Sequence, residues 1–234
     1  MVAPGMRRYR IRTDAHAALV GVRSDDSIDL GALFSRPAPL RIEIGCGHGE
    51  YISQLAAAHP DENFVGSEWD ELRVTKIAHK CNKEGVGNVR VFGGEAHRFL
   101  RRLPDACASR LYILFPDPWP KAGHRRRRLM NRDFLIDLSR VAAPGCRFVF
   151  GSDTHNYTMQ VLSNLSTLPG LWRNCYLPAG YRIDIPTRFP TVFERYKKSE
   201  GCTIAYLMME RSVRSAPTPL PVPPRIHDDF LVGP

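Results

Sequence analysis

The chain has 234 residues, of which 43% are hydrophobic and 24% charged, a balance typical of one globular domain that buries an ordinary core. Lysine and arginine outnumber aspartate and glutamate by 33 to 24, which gives a net charge of +9 and a pI near 9.5. This charge favours a polyanionic partner, with nucleic acid first, over an acidic or a neutral protein.

The six cysteines are widely separated and form no Cys-x-x-Cys pair, which argues against a disulfide framework or a zinc ribbon and indicates a reducing, cytoplasmic compartment. The eight histidines show no ligand spacing, so we expect no metal site. No apolar stretch approaches the roughly 20 residues of a membrane span, and we expect no membrane contact.

The chain divides into a basic arm and lead-in over residues 1–38, a main domain over 39–213 and a Pro-rich tail over 214–234. The arm carries Arg7, Arg8, Arg10 and Arg12, which contact RNA or form a solvated terminus; both interpretations stay open. The tail has prolines at 217, 219, 221, 223 and 224, and we assign it no chemistry.

In the main domain, apolar runs at 40–44, 63–68, 88–92, 110–115 and 147–151 predict strands that alternate with helices. Helical periodicity appears over 71–84 and after Asn131, where the sequence Ala-Pro-Gly at 143–145 predicts a helix stop. A further helix is predicted from beyond Asn156 to about Leu168. This alternation predicts an α/β domain with a mainly parallel sheet and helices on both faces.

Two later β-rich stretches, at 172–177 and 203–210, predict a C-terminal antiparallel strand pair. A polar loop of about 25 residues joins them, which is longer than packing alone requires. Such a loop is either functional or disordered.

The first predicted strand runs into Glu43, and three alternating glycines follow at Gly45, Gly47 and Gly49. Glycines at a strand–helix turn let a ligand lie against the backbone without Cβ clashes. The spacing G-x-G-x-G after an acid differs from the G-x-G-x-x-G of dinucleotide binders. The pattern favours a nucleotide-type cofactor, although a tight structural turn would also use it.

Glu68 ends the second strand, 19 residues after Gly49, where a carboxylate can accept the ribose hydroxyls of an adenosine-containing cofactor. The third strand ends in Gly93 and Gly94, followed by Glu95 and Ala96, which would sit beside the adenine.

After the fourth strand comes the sequence Phe-Pro-Asp-Pro-Trp-Pro-Lys at 115–121. Its three prolines lock the backbone, so that Asp117 and Trp119 are held rigidly where open α/β sheets bind ligands. Four arginines follow His124, namely Arg125, Arg126, Arg127 and Arg128. Arginine binds phosphate bidentately, and because the run adjoins the predicted site we expect it to contact an RNA backbone rather than to be only a solvated surface.

The sequence 115–121, with His124 and the arginines before Leu129, closely resembles the signature of the bacterial tRNA (guanine-N7)-methyltransferases, a family of class I enzymes that use S-adenosylmethionine. The likeness extends from about Arg41 to Glu210 and includes the Thr-x-Phe-Glu motif at 191–194 and Asp153 after the fifth strand. It resolves the long loop in favour of function.

The resemblance implies a Rossmann-like class I methyltransferase fold and methylation of N7 of guanine 46 in the tRNA variable loop. It implies a cofactor pocket lined by Glu43, Gly45, Gly47, Gly49, Glu68, Glu95, Ala96 and Asp117, and a guanine side formed by Lys121, Asp153, Thr191, Phe193 and Glu194. The sequence departs from the family pattern at Glu95, where aspartate is usual, at Gly123, where a basic residue is usual, and in the tail.

We predict that Asp117 is the catalytic carboxylate. The closest alternative activity is methylation of an exocyclic amine on another RNA or protein, because an acid-Pro-aromatic turn also serves that chemistry. A non-catalytic RNA-binding protein and an NAD-dependent oxidoreductase are more distant alternatives. A monomer and a homodimer both fit the sequence.

Overall fold

A computed structural model of the chain describes residues 19–20 and 27–212. The strands within this part are β1 (Leu19–Val20), β2 (Leu40–Ile44), β3 (Asn63–Glu68), β4 (Val89–Gly93), β5 (Ala108–Leu114), β6 (Ala142–Ser152), β7 (Trp172–Asn174), β8 (Arg182–Ile183) and β9 (Ala205–Arg211). The helices are α1 (Leu30–Leu33), α2 (Glu50–Ala58), α3 (Glu71–Lys83), α4 (Ala96–Arg102), α5 (Arg132–Val141), α6 (His155–Ser166) and α7 (Val192–Ser199), with a 3-10 helix at Ala122–Arg127.

Within the described residues, nine strands form one sheet in the order β1-β4-β3-β2-β5-β6-β9-β7, and β8 pairs with β9. The first six strands of this order pair in parallel, whereas β9 runs antiparallel to β6, β7 and β8. The predicted α/β fold, mainly parallel with antiparallel C-terminal strands, is confirmed.

Both faces of the sheet are covered by helices. Strand β5 shows this alternation, because Leu111 and Ile113 pack with one hydrophobic cluster and Tyr112 and Leu114 with the other. The first cluster includes buried residues of α4, α5 and α6, and the second includes those of α2 and α3. Successive side chains of a strand point to opposite faces, so two apolar layers are what these nearly continuous apolar strands require.

The five predicted central strands are confirmed: β2 and β3 have the predicted ends, those of β4 and β5 differ by one or two residues, and only β6 differs more. That strand begins at Ala142, five residues before the predicted start, because Ala142 already pairs with Ala108. The pairing then shifts register between Ala108 and Arg110, and Gly145 adopts a φ of 76°. The sequence at 143–145 therefore follows the end of α5 directly and lies inside an irregular strand rather than in a separate turn.

The polar loop between β7 and β9 contains secondary structure that the sequence analysis did not predict. Strand β8 pairs with β9, and α7 occupies Val192–Ser199. Among the described residues, α7 buries a single side chain, that of Glu194, so it lacks the apolar stripe by which helices are recognised. The sequence nevertheless carries a signal for the start of α7, because Thr191 caps the helix by accepting a hydrogen bond from the Glu194 amide (2.9 Å).

The predicted basic arm, with its four arginines, and the Pro-rich tail lie outside the described residues. Ile28, which precedes the predicted domain start at residue 39, is buried in the first cluster, and its amide donates to Arg102 O (2.8 Å). Among the helices of the described part, none is long and apolar enough to cross a membrane.

Gly66 in β3 shows how tightly the sheet packs beneath the turn that carries Gly45, Gly47 and Gly49, called the glycine turn below. A Cβ at this position would lie 2.4 Å from Cys46 Sγ and 3.0 Å from Ile52 Cδ1. We predict that Gly66→Ala lowers the free energy of unfolding by about 1–3 kcal/mol, the usual cost of overpacking a core, when measured by urea titration. Gly87→Ala is the matched control, because a Cβ there meets nothing within 4 Å. Equal stability of the two variants would contradict the packing argument.

Candidate functional site

The predicted site residues come together because the strands that carry them are parallel neighbours. The strands β4, β3, β2, β5 and β6 lie side by side and end at the same edge of the sheet. The predicted residues at or just after these ends are Glu95, Glu68, Glu43 with the glycines, Asp117 and Asp153. The chain order reverses between β2 and β5, and open α/β sheets bind ligands in the crevice at such a point.

Two glycines of the glycine turn have different surroundings: Gly47 faces open space and Gly49 faces helix α3. Gly47 has a φ of 56°, and a Cβ there would meet nothing within 4 Å, so its surface is open to a ligand. Gly49 has a φ of 76° and begins α2, but a Cβ there would lie 2.8 Å from Ile77 of α3. Gly47 therefore suits backbone–ligand contact, whereas Gly49 lets α2 pack closely on α3.

Glu43 is a buried carboxyl group with an unused acceptor. It is 4% exposed, and among the described residues its Oε2 has no hydrogen-bond partner. Burial raises its pKa from 4.5 to about 8, and the negative charges of Glu50 and Glu68 add to the rise. An unsatisfied polar atom in a core is costly, so a ligand that donates a hydrogen bond or carries positive charge fits this position.

Glu68 ties the glycine turn to the end of β3. Its Oε2 accepts the Gly47 amide (2.9 Å) and its Oε1 accepts the Asp70 amide (3.1 Å). A carboxylate offers about four lone-pair positions, so two of them stay available for the hydroxyl groups of a ribose. The side chain is buried at 3% exposure and is therefore fixed before any ligand arrives.

The turn after β4 lies beside the same acid. The Gly94 amide donates to Glu68 O (3.0 Å), and the chain continues through Glu95, which is exposed, into Ala96, the first residue of α4. Trp69, which directly follows Glu68 and is 71% exposed, was not among the predicted site residues. A large aromatic directly after a site acid was the signal that could have found it, because such a ring can cover a flat base.

The segment 115–121 after β5 has a strained backbone, and we refer to it as the Asp117 loop. Phe115 and Trp119 adopt positive φ values of 55° and 40°, each costing about 1–3 kcal/mol in a residue other than glycine. One end is fixed by the Phe115 amide, which donates to Gly151 O (2.8 Å) in β6. Asp117 is exposed between the two strained residues. The surrounding structure must therefore hold this carboxylate in place.

Three of the four consecutive arginines are on the surface beside this loop. Arg125, Arg126 and Arg127 are exposed, as is Lys121, which immediately precedes the 3-10 helix. The Arg127 guanidinium lies 5.0 Å from the Trp119 ring centre, and His124 packs edge-on against the same ring at 5.8 Å. The exposed cations are accessible to an anionic partner.

Arg128 differs from its neighbours and corrects the prediction that all four arginines contact RNA. It is 1% exposed, and its guanidinium donates to Pro118 O, Asn156 Oδ1 and Gln160 Oε1 at 2.6–2.7 Å. Four consecutive residues cannot share one face of a helix, and here the last one turns inward. In this structure Arg128 is not accessible to a phosphate.

The Thr-x-Phe-Glu motif meets the Asp117 loop through its aromatic residue. Phe193 is 42% exposed and its ring centre lies 5.1 Å from that of Phe115. Lys197 of α7 lies 5.6 Å from the Phe193 ring centre and 3.7 Å from Asp153 Oδ2. The structure therefore places the Thr-x-Phe-Glu motif beside the Asp117 loop, and α7 beside Asp153.

Glu194 occupies a different environment from the one predicted for a guanine ligand. It is 2% exposed, accepts hydrogen bonds from Thr187 Oγ1 (3.1 and 3.2 Å) and pairs with Lys198 Nζ (2.7 Å). These contacts hold the preceding loop against α7. Its carboxylate therefore supports the motif from beneath, while Thr191 and Phe193 lie nearer the surface.

The part of the chain that the structure describes contains no group of three or more His, Cys, Asp or Glu side chains that could hold a metal ion. The six cysteines all lie within it and are free thiols.

Comparison with known proteins gives a family and a fold. Residues 37–202 match the family described as "Putative methyltransferase". The chain is 34% identical to the tRNA (guanine-N(7)-)-methyltransferase of Rhodospirillum rubrum over 85% of this chain and 78% of that protein. A protein of the same name from Hydrogenovibrio crunogenus is also 34% identical, over 80% of this chain and 78% of that one.

Among solved structures, the fold is similar to 16S rRNA methyltransferase KamB, with a TM-score of 0.57, 17% identity, and 76% and 90% of the two chains covered. It is also similar to the 16S rRNA (adenine(1408)-N(1))-methyltransferase of Catenulisporales acidiphilia, with a TM-score of 0.55, 18% identity, and 77% and 88% covered.

The raised pKa of Glu43 predicts a specific pH dependence of stability. The folded chain keeps the Glu43 proton up to about pH 8, whereas the unfolded chain loses it near pH 4.5, so the contribution of Glu43 to stability falls between these two values. The glutamine of Glu43→Gln does not titrate. The free energy of unfolding of this variant minus that of wild type, measured by urea titration, should therefore rise by on the order of 3–5 kcal/mol from pH 4.5 to 8. Exposed Glu71→Gln provides the baseline. A Glu43→Gln difference that is constant with pH would contradict the assignment.

Proposed function

Because the chain belongs to the tRNA (guanine-N7)-methyltransferase family, we propose that it transfers a methyl group from S-adenosylmethionine to N7 of guanine 46 in the tRNA variable loop. The observation that carries the proposal is the family relationship, since proteins of this name are 34% identical over most of this chain. The exposed arginines beside the Asp117 loop support tRNA as the partner.

The methyl donor of this class is S-adenosylmethionine, and the residues at the sheet edge fit it. The open surface at Gly47, the fixed carboxylate of Glu68 and the unsatisfied Oε2 of Glu43 suit a ligand with a ribose and a positively charged end. When bound, the donor supplies an electrophilic methyl group on a sulfonium. We assign Glu43, Gly45, Gly47, Gly49, Glu68, Glu95, Ala96 and Asp117 to its pocket.

Guanine N7 has a free lone pair and no proton at neutral pH, so the transfer requires no general base. The protein then contributes mainly by positioning the reactants and by stabilising charge. Positive charge moves onto the purine during the reaction, and a fixed carboxylate facing the base stabilises that change. Asp117, held between Phe115 and Trp119 in a strained segment, is our candidate for this role.

The guanine side is formed by exposed or half-buried groups around the same edge. We assign base contact to Asp153, Lys121, Thr191 and Phe193, because a carboxylate can accept the N1 and 2-amino hydrogens and an aromatic ring can stack on a base. Glu194 holds α7 in position through Thr187 and Lys198, so it acts on this side indirectly.

The activity is tested with methyl-labelled S-adenosylmethionine and unmodified tRNA transcripts, followed by digestion and mass spectrometry of the labelled nucleoside. We expect label in 7-methylguanosine at position 46, and loss of label when that position is changed to adenine. Label on an exocyclic amine would favour the alternative activity, and label on another guanine would retain the reaction but not the position.

Removing the charge of Asp117 should slow the chemical step. We predict that Asp117→Asn, which keeps the size of the side chain, lowers the single-turnover rate at saturating substrates about 100- to 1,000-fold. Asp105→Asn is the matched control, because Asp105 is exposed just before β5 and so lies at the opposite end of that strand. A wild-type rate for Asp117→Asn would remove the carboxylate from the mechanism.

The exposed arginines should set the salt dependence of tRNA binding. Replacing Arg125, Arg126 and Arg127 with alanine should lower the slope of log Kd against log salt by about 2, since each phosphate contact contributes about 0.7–0.9. The control replaces Lys76, Lys80 and Lys83 of α3, an equal number of cations on another element. An unchanged slope in the arginine variant would make these residues ordinary solvated surface.

A further inference from the structure

We propose that Arg128 is a positioning residue that holds the Asp117 loop in its reactive shape, acting through the carbonyl of Pro118. The inference rests on the proposed function, because it assigns Asp117 a place beside the reacting base. The Arg128 side chain is the largest fully buried one among the described residues. Full burial of an arginine requires that its donors be satisfied within the protein.

The contacts of Arg128 connect two elements of the site. Its Nε donates to Pro118 O (2.7 Å), its Nη1 to Gln160 Oε1 (2.6 Å) and its Nη2 to Asn156 Oδ1 (2.7 Å). The guanidinium also lies 4.8 Å from the ring centre of Tyr157. The last three partners all belong to α6. A planar fork of donors thus fixes the loop to one helix.

The Asp117 loop depends on this contact because it has few hydrogen-bond donors of its own. Pro116, Pro118 and Pro120 carry no backbone N–H, so the segment can be held chiefly through its carbonyl groups. The carbonyl that Arg128 binds lies between Asp117 and Trp119, and Trp119 has a φ of 40°. Strain of this kind persists only where neighbouring contacts impose it.

The same contact relates the two acids of the site. Helix α6 begins at His155, two residues after Asp153, and Arg128 binds Asn156 and Gln160 in its first two turns. Asp117 and Asp153 follow the adjacent strands β5 and β6. Arg128 therefore sets the distance between Asp117, which we propose stabilises the transition state, and Asp153, which we propose binds the base.

Lysine cannot reproduce this arrangement, because a point-like ammonium group lacks the planar fork that reaches a carbonyl and two amide oxygens together. We expect Arg128→Lys to lower the single-turnover rate about 10- to 100-fold, the usual result of a displaced catalytic group. The Kd for tRNA should change less than threefold, with an unchanged salt slope. Amide hydrogen exchange in peptides covering residues 115–127 should become faster.

Two further variants separate positioning from general stability. Arg140→Lys makes the same replacement at a half-buried arginine of α5, whose guanidinium donates to the carbonyls of Leu100 and Leu103, before the start of β5 and so away from the site. It should lower stability without changing the rate. Gln160→Leu removes one partner of Arg128, and its rate loss should not add to that of Arg128→Lys, because both act through one contact.

A wild-type methylation rate in folded Arg128→Lys protein would overturn the inference. A lower salt slope for tRNA binding in this variant would also overturn it, because that result would indicate that Arg128 contacts a phosphate. If Arg128→Lys does not fold, a wild-type rate and unchanged exchange in Gln160→Leu would overturn it. If the wild type methylates no tRNA, the proposed function fails, whereas faster exchange at 115–127 in the variants would still support the contact.

Discussion

The parallel pairing of β2 with β3 and β5, and of β5 with β6, is the constraint on which the whole site depends. Each pairing aligns the carboxyl end of one strand with that of the next, so that residues far apart in sequence become neighbours. The packing beneath the glycine turn is tight, since a methyl group added at Gly66 would overlap Cys46. The positions of Glu68 and Asp117 follow from this register and not from any contact between them.

Much of the fold was predictable because its signals are local. Apolar runs separated by amphipathic segments identify the central strands, and the capping side chain of Asn131 marks the start of α5. The early start of β6 was not predictable, because the pairing of Ala142 with Ala108 is a long-range event. Helix α7 was missed for the opposite reason: it has a local cap at Thr191 but almost no buried face.

The predicted site residues were chosen by type and spacing, and such evidence cannot distinguish an exposed side chain from a buried one. Arg127 and Arg128 are consecutive and chemically identical, yet Arg127 is exposed over the half-buried indole ring of Trp119, whereas Arg128 is fully buried beneath the Asp117 loop. Glu194 is likewise covered, although its motif neighbour Phe193 is exposed. Burial depends on tertiary packing, and a sequence pattern alone leaves it undetermined.

The antiparallel strand β9 lies inside the sheet, between β6 and β7, and it also pairs with β8. A ribosome synthesises a chain from its amino end, so β6 acquires its outer neighbour only after residue 211 has been made. Until then β6 lacks this neighbour, and β7 and β8 lack the strand with which they pair. The segment that carries Thr191 and Phe193 therefore gains its last neighbouring strand after all the parallel strands have been synthesised.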